Sequence, residues 1–333
     1  MKLKPAGIFI IVAIIAVLAY FALRPNQRDS VQENPTEVST SPANNNTDSS
    51  NNNSKSSTSD AKSEERSFNY TPEKPENGTL RGVVELGATG FNSFIINMDN
   101  QKRWEIVSKD FGESLAYEGL ATTEDIRAGL KKYIAGMFDK GVAKNNIHFV
   151  ISSGAQKEPK TILIGNELKK MGYVVNNVTP DQEAKFGFRA TVPSSFADNS
   201  FMVDIGSGNT KISWNENGSL KTLELPGAKY FEKGTTDTEA YNTVKTLAEK
   251  IPADKRNVGF ILGGVPFTLA KQHRKDEERY TVLKAPQSYE AADKKMASGL
   301  NIYKAIADAT QTDTFVFDWD ANFTIGFLLS LNK

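Results

Sequence analysis

The stretches Glu85-Leu86-Gly87-Ala88-Thr89-Gly90-Phe91 and Asp204-Ile205-Gly206-Ser207-Gly208-Asn209-Thr210 decide how this chain is read. Each follows an apolar run of β type, places an acid at the end of that strand, turns on glycines and leads straight into a second strand. Glycine tolerates positive φ and lets the backbone approach a ligand, successive N–H groups form an anion-binding concavity, and the acid can hold a metal ion or a water. One such turn carries little weight. Two of them, about 120 residues apart and opening similar halves, predict a duplicated α/β fold gripping a phosphate from both sides.

Working outward, the first turn joins strands predicted over 80–86 and 91–98, with a third over 104–109. Thr123 then stands as an amino-terminal cap before a segment whose Ile126, Leu130, Ile134 and Met137 recur at helical spacing. Strand 147–152, helix 159–171, strand 173–176 and a helix from Asp181 alternate as parallel β-α-β units do. After the second turn the theme repeats, through strands 210–215 and 219–225, helix 237–250, strand 258–262 ending in Gly263-Gly264, strand 314–317 and a last helix. The expectation is two lobes with a central cleft, lobe I over 78–198 and lobe II over 199–333, the last helix packing back on lobe I.

The amino-terminal end reads differently. Residues 7–23, GIFIIVAIIAVLAYFAL, are long enough at about 1.5 Å per residue to cross most of a ~30 Å hydrocarbon core. No small-x-small cleavage site follows and the chain has no cysteine for lipid attachment, so residues 1–24 read as an uncleaved transmembrane signal anchor. Residues 25–77, rich in Ser, Asn, Thr and Pro, bury too little apolar surface to offset their chain entropy. They read as a disordered linker with coil dimensions of ~40 Å. The small excess of positive charge before the anchor, together with the character of the tether, leans toward an extracytoplasmic body. The absence of cysteine excludes disulfides, thiolate metal sites and a cysteine nucleophile. Forty basic and forty acidic residues balance to zero, so bulk charge gives a nucleic-acid partner no support.

Taken in order, the motifs resemble those of the exopolyphosphatase and guanosine-pentaphosphate phosphohydrolase (Ppx/GppA) family, within the actin-like ATPase superfamily, over nearly all of 80–333. The turn from Glu85 to Asn92 is similar to that family's DLGSNSFH. Tyr117-Glu118-Gly119-Leu120 and Val150-Ile151-Ser152-Ser153-Gly154-Ala155 resemble the segments between its motifs. Thr179-Pro180-Asp181-Gln182-Glu183-Ala184-Lys185-Phe186 resembles SGxEEARL, Val203–Lys211 resembles DIGGGSTE, Leu225-Pro226-Gly227-Ala228 resembles its LGA, and Gly263-Gly264 its third glycine motif.

That resemblance implies two ribonuclease-H-like lobes and a phosphohydrolase that removes terminal phosphate from polyphosphate or a guanosine polyphosphate. Glu183 takes the position of the catalytic base, and Glu85 and Asp204 would hold a divalent ion, Mg²⁺, or the water around it. The phosphate-binding set it implies is Gly87, Thr89, Gly90, Asn92, Gly206, Ser207, Gly208, Asn209, Thr210, Lys211, Gly263 and Gly264. Read without the resemblance, Glu183 is a solvated acid in the first turn of a helix. The departures matter too. Lys211 stands where the family carries an acid, reversing the charge, and Glu85 stands for an aspartate. Lys211 either binds phosphate as a point charge or points to solvent. Two further readings stay open, a catalytically weakened phosphate- or nucleotide-binding module for envelope signalling or assembly, and an ATP-dependent envelope scaffold. A homodimer is compatible with each. His148 and His273 read as structural or surface residues, Lys271–Arg279 as a solvated helix face, and Trp319 as packing or an interlobe contact.

Overall fold

The computed structural model describes residues 68–87, 91–112 and 123–331. The anchor at 7–23, the linker up to residue 67, Thr89, Gly90 and Tyr117–Leu120 lie outside the described residues. Among the described residues no helix is long and apolar enough to cross a membrane.

The first sheet is built on strand β1 (Thr79–Leu86). On one side β2 (Phe91–Met98) and β3 (Trp104–Gly112) continue from it as an antiparallel meander, and on the other β4 (Ile147–Ile151) and β5 (Val175–Asn177) run parallel to it. The second sheet repeats the plan on β6 (Ser200–Ile205). The meander is β7 (Asn209–Glu216) and β8 (Ser219–Pro226), and the parallel neighbours are β9 (Val258–Leu262) and β11 (Phe315–Asp318). A short antiparallel strand, β10 (Tyr280–Val282), closes the β11 edge and breaks the symmetry. The duplication expected from the two glycine turns is present strand for strand.

Helix α1 (Thr123–Asp139) buries Ile126, Leu130, Ile134 and Met137, the stripe its spacing predicts, beside α2 (Pro159–Lys170) on the first sheet. Helix α3 (Pro180–Thr191) starts on a capping box in which Thr179 accepts from the Gln182 amide and the Gln182 side chain accepts from the Thr179 amide, with Pro180 at the first helical position. A second capping box, Thr236 with Glu239, opens α4 (Asp237–Ala248). Helices α5 (Gly264–Lys271) and α6 (Lys294–Thr310) complete the main core of the second sheet.

Two helices cross between the sheets. α3 precedes β6 yet lies on the second sheet, where the Ser213 hydroxyl donates to the Ala184 carbonyl at 3.0 Å. α7 (Phe323–Ser330) follows β11 yet packs Phe323, Ile325, Phe327 and Leu328 with Val83, Phe94 and Ile96 of the first sheet. They touch at Gly326, where a Cβ would fall 1.8 Å from the Phe186 carbonyl oxygen. Only a residue without a side chain permits that approach.

The body begins earlier than composition indicates. Residues 68–77, which composition places in the linker, are packed. The Phe68 ring sits 5.2 Å from Phe196, 5.6 Å from Phe260 and 5.3 Å from Tyr280, with Tyr70 alongside. Two aromatic side chains bury enough surface to order a segment that is otherwise polar. The stretch Lys271–Arg279 is also not a helix face. α5 ends at Lys271 and the chain turns into β10.

Candidate functional site

β1 and β6 each carry an acid at the last residue but one, Glu85 and Asp204, and α3 brings Glu183 beside both. Strand register supplies the fourth member. Lys211 lies directly across the β6–β7 ladder from Asp204, so the two side chains emerge on the same face of the sheet, toward α3. The Lys211 Nζ stands 2.8 Å from Glu183 Oε2 and 3.6 Å from Asp204 Oδ2. The other Glu183 oxygen accepts a short hydrogen bond from the Ser153 amide, at the start of the turn after β4. Glu183 is thus a buried, doubly held carboxylate, its side chain 2% exposed, and not the solvated acid that an isolated helix start would make it.

Glu85 completes the cluster from the first sheet. Its Oε2 accepts from the Asn92 side-chain amide at 2.8 Å and from the Asn322 amide at 3.3 Å, Asn322 being the cap of α7. Burial pushes the Glu85 carboxyl up, against the two amide donors, and the neighbouring Glu183 and Asp204 charges add to the rise. For Lys211 burial opposes the charge, but Asp204, Glu183 and Glu85 together outweigh it and hold the ammonium above its ordinary range. The three acids and one lysine therefore form a single electrostatic unit.

Several residues expected to bind phosphate are engaged elsewhere. Asn92 is committed to Glu85. Asn209 donates to Glu224 at 2.7 Å. Thr210 is turned away from the acids rather than engaged, its buried hydroxyl without a hydrogen-bond partner among the described residues. It alternates with Lys211 along β7, so its fully buried side chain faces the core side shared by Ile205 and Ile212, away from the acids. Lys211 is not in solvent, and its ammonium is directed at carboxylates.

Among the described residues, the backbone of the second turn and the Ser207 hydroxyl remain for an anion. In the second turn the Gly206 amide donates to Asn209 and the Gly206 and Ser207 carbonyls accept from Ala228 and Lys229, which seats the turn on Gly227. A Cβ added at Gly208 would meet open space. Gly263, at φ +110°, lies against the end of β6, where a Cβ would fall 2.2 Å from the Ile205 carbonyl, and Gly264 opens α5. Gly87 ends the described part of the first turn.

As arranged, these residues do not fit a divalent ion held by Glu85 and Asp204. The Lys211 ammonium lies where an ion joining Glu183 and Asp204 would sit, and the Glu85 oxygen is occupied by amides. Among the described residues no three His, Cys, Asp or Glu side chains are grouped to hold a metal. His148 lies against Phe327 and His273 against Tyr289, both outside the cluster. Ser153 and Asn322 belong to the site but carry no motif of their own. Ser153 lies within Val150–Ala155, whereas nothing in the sequence around Asn322 marks it.

Two sheets of the same plan, each with an acid near the end of its central strand before a glycine turn, and two helices crossing between them, define a duplicated, two-lobed α/β protein. More particularly, the chain has the fold of the Ppx/GppA exopolyphosphatases. It is similar to the solved Ppx/GppA family member from Aquifex aeolicus at 16% identity and a TM-score of 0.58, over 76% of this chain and 97% of that one. It is similar to the same degree to an exopolyphosphatase from Cytophaga hutchinsonii, at 15% identity and a TM-score of 0.58, over 76% of this chain and 99% of that one. No protein-family model and no curated protein matches the chain.

Proposed function

We propose that this protein is a phosphohydrolase of the Ppx/GppA type that holds the terminal phosphate of polyphosphate, or of a guanosine polyphosphate, between its two glycine turns and uses Glu183 to orient the attacking water. One observation carries the reading: α3 delivers Glu183 to the acids of both turns, and the Ser153 amide and Lys211 fix its carboxylate there. Phosphoryl transfer asks chiefly for a positioned water and neutralised charge, and a clamped carboxylate beside an ammonium serves both. The amides of Ser207, Gly208 and Gly264 are donors that could meet phosphate oxygens.

A second reading has its own observation. Both Glu183 oxygens are already engaged, one by the Ser153 amide and one by the Lys211 ammonium, so neither can meet a water without sharing or giving up a partner. A body that binds a phosphate chain and turns it over slowly or not at all, for signalling or assembly at an envelope, is consistent with that pairing. In either case we place the 7–23 stretch in a membrane and the body outside the cytoplasm, where a phosphate polymer is a more accessible ligand than a nucleotide.

Phosphate release by the full chain from long-chain polyphosphate and from guanosine pentaphosphate, with Glu183→Gln beside it, tests the reading. Release that falls at least a hundredfold in Glu183→Gln is expected. Equal release from both proteins would remove Glu183 as the base, and saturable polyphosphate binding without release would establish the second reading.

A further inference from the structure

The carboxylates of Glu183 and Asp204 flank one point, with the Glu85 charge close enough to act on it, and a side chain of the same chain holds that point. We propose that the Lys211 ammonium is the resident cation of this site, standing in for a divalent ion, so that the acids recruit no metal. The placement is not a surface accident. Lys211 is paired in register with Asp204 on β7, its side chain is 9% exposed, and its Nζ reaches Glu183 at 2.8 Å and Asp204 at 3.6 Å. An ammonium suits this arrangement, with one hydrogen bond to Glu183 and a longer ion-pair contact to Asp204. A divalent ion is different, since it holds its oxygens at about 2.0–2.6 Å and takes six or more of them. An ion drawn to Glu183 and Asp204 would lie against the ammonium, in a setting where like charges are poorly screened.

The substitution changes what the site can do. A tethered ammonium carries one charge instead of two and has no bound water of lowered pKa to present. It also cannot dissociate, so the charge opposite Glu183 and Asp204 is independent of the metal content of the surroundings. The consequence for phosphate rests on the proposed function, but the cation assignment does not, and its test uses metal alone.

The experiment is titration of the full chain with Mn²⁺ in the absence of any phosphate compound, followed by electron paramagnetic resonance of free Mn²⁺ and by thermal unfolding. The wild-type chain is expected to take up no saturable Mn²⁺ at the cluster and to keep its Tm. Lys211→Ser, which frees Glu183 and Asp204 to share an ion, is expected to gain one Mn²⁺ per chain and to rise in Tm by roughly 5–10 °C at saturation. Adding Glu183→Gln should cancel that gain. Saturable wild-type binding that Asp204→Asn abolishes would overturn the inference, as would a folded Lys211→Ser chain that binds no Mn²⁺. Should Lys211→Ser fold neither with nor without Mn²⁺, the wild-type titration decides alone, absence of binding supporting the assignment and Asp204-dependent binding ending it. Phosphate release can fail while this result holds, and the reverse, so the two readings separate.

Discussion

Lys211 and Glu183 show how much a single residue's neighbours decide. Each is a charge taken out of water, a costly state that is tolerable because the partner is 2.8 Å away. Removing Lys211 leaves the Glu183 carboxylate buried with only the Ser153 amide as a partner. Lys211→Met is therefore expected to lose about 3–5 kcal/mol of stability, read as a lower urea midpoint at unchanged slope. The double variant Lys211→Met, Glu183→Gln should recover part of that loss, because the coupling between the two sites disappears with both charges. Additive losses would mean that the pair contributes nothing as a pair. Sequence order alone leaves the side chain of Lys211 free to bind phosphate or to face solvent. The pleat resolves it, sending Thr210 into the core and Lys211 toward α3.

Among the elements, the β2–β3 hairpin has a task that composition hides. Asp99, in its turn, accepts from the amides of Glu76, Gln101 and Arg103 and from the Arg103 guanidinium, which also reaches Glu76. Burial opposes the Asp99 charge, but these donors outweigh it and hold the carboxyl down at about 2. An aspartate in an unfolded chain titrates near about 3.9. The folded value is the lower one, so the stabilisation is fully present above about pH 4 and is lost as pH falls toward about 2. Asp99→Asn is expected to lower the Tm at pH 7 and to hasten proteolysis within residues 68–77. The difference from wild type should close between about pH 4 and pH 2. A difference that persisted unchanged to pH 2 would rule out the carboxylate as its source. Most elements were legible because their signals are local. The strands Phe91–Met98, Ser200–Ile205 and Val258–Leu262 are apolar runs bounded by turn residues, and α1 carries its stripe in plain order. β10 was not legible, since three residues at a sheet edge hold no period, and the packing of Phe68 was masked by the polar residues around it.

For the whole molecule, side chains beyond α3 and α7 also couple the two sheets. Arg279 forms a two-pronged pair with the buried Asp318 at 3.0 and 3.1 Å, and its guanidinium lies 4.4 Å above Trp104 of β3. Lys109, also on β3, reaches Asp320 and the Trp319 carbonyl. Trp319 thus serves packing, against Phe317 and Phe267, and an interlobe contact as well. Arg279→Met leaves Asp318 unpaired and frees Trp104. We expect a Tm lower by roughly 10 °C and a changed tryptophan emission. An unaltered emission spectrum would mean that Trp104 does not depend on the arginine. By itself the sequence determined the duplication, the two acid-then-glycine turns, the capped helix bearing Glu183 and the order of nearly all elements, because each is written in residues close along the chain. Tertiary structure alone decided that Asn322 and Ser153 join the site, that Asn92 and Thr210 are not free for a ligand, and that Lys211 sits among three acids. Those contacts join residues up to 237 positions apart, and only the folded arrangement of sheets and crossing helices brings such distant groups within hydrogen-bonding reach.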